Sequence, residues 1–160
     1  MILVRHAMTE APQTARPDLN AADAAALMRD LDVGVIPVAE DDRLLGLVTD
    51  RDLVLRVLAE RKDPMEVLLG DIATTSPVTV SPDERLSRAR DLMSEHRIRR
   101  LPVVKGEQLV GILSLGDVAQ ADESERAVGE ALEEISESRS TTEVREYPER
   151  GTPERVRENR

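Results

Sequence analysis

Residues 8–56 and 73–121 align at an offset of 65 without a gap. Thirteen of the 49 pairs are identical, among them Thr9/Thr74, Pro17/Pro82, Met28/Met93, Pro37/Pro102, Gly46/Gly111 and Asp52/Asp117. Others are conservative, such as Val33/Ile98 and Thr49/Ser114. A duplication this regular requires two like units in one chain. One copy alone is too small to cover its own apolar face, so the two must bury each other.

The period of the apolar residues gives the order inside a copy. In the second, "SPVTV" (76–80) reads as a short strand and "SPDERLSRARDLMSEH" as a helix. Ser81 is its candidate N-cap, Pro82 suits the first helical position, and Glu84 completes a capping box. Leu86, Ala89 and Met93 recur on one face. "IRRLPVV" and "QLVGILS" follow as strands around "KGEQ", a four-residue hairpin connection, and a last helix begins near Ser114. The first copy repeats the order. "PQTA" is its leading stretch, a helix runs from Pro17 to Asp30, and "VGVIPVAE" and "RLLGLVT" flank a turn at Asp41–Asp42. A helix from Asp50 to about Arg61 closes that copy. The expected class is α/β (α+β), with two β-α-β-β-α units packed sheet to sheet and residues 57–70 as the link.

Boundaries follow. The first repeat covers 4–62 and the second 69–121. Residues 122–138 carry seven acids and one Arg up to position 137, with Val128, Ala131, Leu132 and Ile135 as an apolar stripe. They are predicted to form an acidic amphipathic helix. The polar stretch 139–160, broken by Pro148, Gly151 and Pro153, is expected to be a disordered tail.

Composition narrows the function. The net charge is −10, and a single Tyr is the only aromatic residue. A nucleic-acid backbone would be repelled, and the body offers no ring to stack on a base, so nucleic acid is not expected as a partner. No apolar run reaches the ~18 residues of a membrane span, and "MILVRHAMTE" is too short in apolar residues for a signal segment. A cytoplasmic protein without membrane contact is expected. No cysteine is present, and His6 and His96 have no neighbours at metal-ligand spacing, so no metal is expected. No phosphate loop, nucleophile elbow or HExxH motif occurs, and nothing in the pattern points to catalysis.

The repeated turns Gly46-x-x-Thr49-x-x-Asp52 and Gly111-x-x-Ser114-x-x-Asp117 admit two explanations. A hydroxyl at an N-cap and a carboxylate three residues on form a helix cap with no ligand at all. The same geometry suits a nucleotide. Free N–H groups and a hydroxyl can meet a phosphate, and an acid can accept bonds from ribose hydroxyls.

The run Gly46-Leu47-Val48-Thr49-Asp50-Arg51-Asp52 after "VGVIPVAEDDRL" resembles the signature of CBS domains. So does Gly111-Ile112-Leu113-Ser114-Leu115-Gly116-Asp117 after "HRIRRLPVVKGEQL". A tandem pair of these is also called a Bateman module. The resemblance spans about residues 4 to 121. It implies two units about a pseudo-two-fold axis, a disc-shaped homodimer, and clefts between repeats that take AMP, ADP, ATP, S-adenosylmethionine or NAD. Carried over by position, Asp52 and Asp117 would hold ribose hydroxyls, with Thr49 and Ser114 near the phosphate. Val35, Ile36 and Pro37, and Arg100, Leu101 and Pro102, would line the adenine slot. Arg99 and Arg100 resemble a basic pair that meets phosphates in nucleotide-binding members. Their bidentate, always charged forks suit that task. Arg51 stands where the second copy has Gly116, and Gly34 and Val35 stand where it has the two arginines, so the two clefts are expected to differ. The expected role is regulatory energy sensing through an adenosyl ligand, with output through an unknown protein effector. A ligand-free dimeric scaffold is the competing reading.

Overall fold

The computed structural model describes residues 1–121 and the backbone of 125–137, with side chains at 129–136. After a 3₁₀ turn at Val4–His6, the elements are β1 (Thr9–Glu10), α1 (Ala21–Leu31), β2 (Val35–Glu40), β3 (Arg43–Thr49) and α2 (Asp50–Leu53). α2 runs on into a π-helical stretch, Val54–Leu58. Then follow α3 (Leu69–Ile72), β4 (Thr74–Thr75), α4 (Leu86–His96), β5 (Arg100–Lys105), β6 (Gln108–Ser114), α5 (Leu115–Ala121) and α6 (Glu125–Glu137). Six strands form one antiparallel sheet, and the class is α+β, as the duplication implied.

Each copy is built on a hairpin, β2–β3 or β5–β6, with corresponding registers: Val35 pairs with Thr49 and Arg100 with Ser114. Both hairpins carry an irregularity at matching places, Val38/Ala39 and Val103/Val104. The helix behind each hairpin buries the predicted face. Leu86, Ala89 and Met93 are at most 3% exposed, and Ala21, Ala24 and Met28 are at most 6% exposed in the first copy. Two cores result, one under each hairpin.

The copies are joined differently from the expected face-to-face sheets. Leading segments cross over. β1 pairs with β6 of the second copy, and β4 pairs with β3 of the first. Val4 belongs to the second core, whereas Leu69 and Ile72 belong to the first. Residues 57–70 are therefore not a mere link. The hairpins also meet at Arg43↔Gln108, where the Leu109 N–H donates to the Asp42 carbonyl at 2.9 Å.

The crossing corrects two helix starts. α4 begins at Leu86 rather than at Pro82, because residues 2–5 claim the backbone of 82–86. The Arg5 N–H donates to the Pro82 carbonyl, Val4 to Glu84, and the Leu86 N–H to Ile2. Ser81 does not cap α4; its hydroxyl oxygen accepts from the Asp83 N–H at 3.3 Å in a preceding turn. α1 likewise begins at Ala21, not Pro17, since Gly70 and Leu69 donate to the carbonyls of Pro17 and Leu19. Asn20 is its N-cap and accepts from the Asp23 N–H at 2.8 Å.

Three smaller corrections follow. "PQTA" and "SPVTV" are not strands but touch the sheet through single parallel bridges, Ala15↔Val38 and Val80↔Val103. The "KGEQ" connection has two loop residues, with Lys105 paired to Gln108 and Gly106 in the left-handed region. The helix after Asp50 turns π-helical at Val54 and ends at Leu58.

α6 packs on α4 and α5, with Ala131 and Ile135 buried in the second core. Leu132, expected in the same apolar stripe, is instead exposed. The Val128 side chain and the expected tail of 139–160 lie outside the described residues. Among those described, no helix is long and apolar enough to cross a membrane.

Candidate functional site

Both repeated turns sit where the second hairpin strand of a copy ends and a helix begins. Their glycines are there for the crossing strands. A Cβ on Gly46 would lie 2.6 Å from the Thr74 carbonyl oxygen, and one on Gly111 would lie 2.6 Å from Met8 Sδ and 3.0 Å from the Thr9 carbonyl oxygen. At Gly46 only a residue without Cβ lets β4 pass at that distance, whereas at Gly111 the Met8 side chain can give way.

The hydroxyls and carboxylates close on themselves. The Asp52 N–H donates to Thr49 Oγ1 at 3.1 Å, and the Thr49 N–H donates to Asp52 Oδ2 at 2.9 Å. In the second copy the Asp117 N–H donates to Ser114 Oγ at 3.1 Å. The Ser114 N–H and hydroxyl both donate to Asp117 Oδ2 at 2.7 Å. Each turn is a complete capping box, and each carboxylate is half-buried.

The hairpin register brings the strand residues beside these turns, Val35 opposite Thr49 and Arg100 opposite Ser114. Ile36 and Leu101 are 1% and 0% exposed and belong to the cores. Pro37 and Pro102 are buried as well, and their carbonyls accept from the Ala15 and Val80 N–H groups at 2.9 and 3.1 Å. Of the six strand positions, Arg100 alone presents an exposed side chain.

The two turns differ in charge. Arg99 and Arg100 are exposed and form no ion pair among the described residues. At the matching place in the first copy stands Gly34, and the Asp50 carboxylate lies against it, with Oδ2 3.2 Å from where a Cβ would be. Asp50 Oδ1 accepts from the Arg51 N–H at 2.8 Å, and the Arg51 side chain points to solvent. Asp52 Oδ1 is further engaged by Arg56 Nε at 3.5 Å. The counterparts of Asp50 and Arg56 are Leu115 and Ala121, and among the described residues no cation pairs with Asp117.

Sequence reasoning missed a cleft of about 510 Å³ on the seam between copies, lined by Met8, Glu10, Pro12, Asp42, Leu109 and Val110 among others. None of the twelve candidate residues lines it. The cleft adjoins them at Thr14, whose neighbour Ala15 donates its N–H to the Pro37 carbonyl at 2.9 Å. No local pattern could have disclosed it, because its walls come from segments about 100 residues apart. His6 serves its own turn, accepting from the Leu3 N–H at 3.2 Å, and His96 is exposed at the end of α4. Among the described residues no three His, Cys, Asp or Glu side chains form a group able to hold a metal ion.

Comparison with known proteins agrees with this geometry. The family model described as "CBS domain" matches residues 4–59 and again 69–124. The CBS domain-containing protein YhcV of Bacillus subtilis is 40% identical over 136 residues, which is 85% of this chain and 96% of that one. Hypoxic response protein 1 of Mycobacterium tuberculosis is 39% identical over 98 residues, 61% of this chain and 68% of its own. A crystal structure of hypoxic response protein I with two coordinated zinc ions aligns with a TM-score of 0.71 and 33% identity, covering 76% of this chain and all of that one. CBSX2 of Arabidopsis thaliana, solved in complex with AMP, aligns with a TM-score of 0.66 and 32% identity over 74% of this chain and 94% of its own.

Proposed function

The chain belongs to the CBS-domain family and carries two such domains in tandem, and from that premise we propose that it is a regulatory module that binds an adenosyl compound between its repeats. The observation that carries the reading is the hairpin register that sets Ser114, itself bonded to Asp117, opposite Arg100, with Arg99 alongside. A carboxylate, a hydroxyl and two guanidinium groups without ion pairs among the described residues match a ribose and its phosphate. The AMP complex of the similar CBSX2 supports the ligand class. In this reading Thr49, Arg51 and Asp52 form the corresponding turn of the first copy. Backbone groups and apolar surface at Val35–Pro37 and Arg100–Pro102 face the adenine.

The protein acts by conformation or partner binding rather than by catalysis. Homodimer formation fits the exposed Val54, Leu55 and Leu58 on the last helical stretch of the first copy, an apolar group that a second subunit would cover.

The test is thermal unfolding followed by circular dichroism at the helix band, with AMP, ADP, ATP, NAD and S-adenosylmethionine in turn. A ligand at 100 times its Kd adds about 2.7 kcal/mol, which raises the midpoint by several degrees. Asp117→Ala is expected to remove that shift and to leave the protein folded.

One observation favours a second reading, a ligand-free dimeric scaffold: both turns are complete capping boxes without any ligand. Under it no compound moves the midpoint, and Asp52→Ala and Asp117→Ala each only cost about 1 kcal/mol of stability.

A further inference from the structure

The proposed binding rests on a chain whose two turns are equivalent in backbone but opposite in charge. We infer that only the second copy's turn accepts the phosphate of such a ligand, and that Asp50 is the residue that closes the first. This inference depends on the adenosyl-binding reading and adds to it the number and place of the sites.

Positions 34 and 50 face each other in the first copy, just as 99 and 115 do in the second. The Asp50 N–H donates to the Gly34 carbonyl at 3.0 Å, and the Leu115 N–H donates to the Arg99 carbonyl at 2.9 Å. The backbone is thus the same, and the side chains decide. In the second copy this corner holds a guanidinium and an aliphatic chain, and Arg100 adds a second positive charge. In the first it holds a carboxylate lying over a glycine.

That carboxylate already occupies the position an anion would take. It accepts the Arg51 N–H at 2.8 Å, whereas Leu115 offers nothing to the Gly116 N–H. A phosphate arriving at the first turn would meet a like charge and find that donor used. At the second turn it would meet two cations with no partners among the described residues.

The ribose side repeats the contrast. Arg56 draws on Asp52 Oδ1, so a hydroxyl there must compete with a guanidinium. Ala121 leaves Asp117 Oδ1 open to accept from one. Of the differences named, only Arg51, an exposed cation where the second copy has Gly116, runs the other way.

The experiment is calorimetric titration of the full chain with the adenosyl compound that gives the largest thermal shift, with backbone amide spectra recorded alongside. One site per chain is expected, with amide shifts at Arg100, Ser114 and Gly116 and none at Val35, Thr49 and Arg51. Asp117→Ala should weaken binding at least tenfold. Gly34→Arg combined with Asp50→Leu copies the second corner into the first and should raise the stoichiometry to two. Circular dichroism checks that both variants are folded. Two sites in the unaltered chain, or one site whose shifts cluster at the first turn, would overturn the asymmetry while leaving the adenosyl reading intact. Absence of binding by all five compounds would overturn that reading and the asymmetry with it.

Discussion

Gly46 and Gly111 occupy the same position in the two copies, yet an added methyl would meet different neighbours. At Gly46 the obstacle is the Thr74 carbonyl oxygen at 2.6 Å, part of a paired strand. At Gly111 the nearest atom is the thioether of Met8, which can swing away, with the Thr9 carbonyl oxygen at 3.0 Å behind it. Gly46→Ala is therefore expected to cost about 1–3 kcal/mol, the range of an overpacked site, and Gly111→Ala less. Urea unfolding of both variants checks the order, and equal losses would show that Met8 is as rigid as backbone. The glycines of the repeated turn are thus explained by strand crossing without reference to a ligand. The hydroxyl and the acid are explained by capping. Arg99 and Arg100 have no such structural explanation, and the functional argument rests on them for that reason.

Among the elements, both helices behind the hairpins end on a left-handed residue, Asp32 at φ 53° and Arg97 at φ 54°. Each donates its N–H back to carbonyls of the last turn. Glycine holds this conformation without strain, Asp tolerates it, and Arg does so at greater cost. Arg97→Gly should therefore stabilise the protein by about 0.5–1 kcal/mol and Asp32→Gly by less, which thermal melts of the two variants would resolve. Such details show which parts of the fold the sequence disclosed. β3 and β6 ran from the predicted first residue to the predicted last, because alternating apolar runs between turn residues are a local signal. The starts of α1 and α4 were not local. "SPDE" has the residues of a helix start, but its backbone groups are taken by Ile2, Val4 and Arg5, about 80 positions away. The seam cleft was hidden for the same reason. The closure of the first turn by Asp50 was hidden for another, since nothing in "TDRD" tells which way a carboxylate folds.

For the whole molecule, the crossing of leading segments has a thermodynamic consequence. Each core contains residues from the far side of the seam: Val4 in the second, Leu69 and Ile72 in the first. Neither copy can complete its core without backbone that runs directly into the other. The pairings repeat by the 65-residue offset, since Leu3 bridges Arg85 as Leu68 bridges Asn20. Two independent domains on a string would melt separately, whereas this arrangement should melt as one. Val4→Ala tests it. Val4 is 0% exposed, and its truncation should cost about 2 kcal/mol from lost burial and the cavity left behind. Its contacts lie in the second copy, but the loss should appear throughout the sheet. Native-state amide exchange is expected to show the most protected amides of β3 and of β6 losing the same free energy. If β6 alone lost protection, the copies would be separate cooperative units. A ligand bound at the second turn could then stabilise only half of the molecule, and its binding would have no direct route to the first.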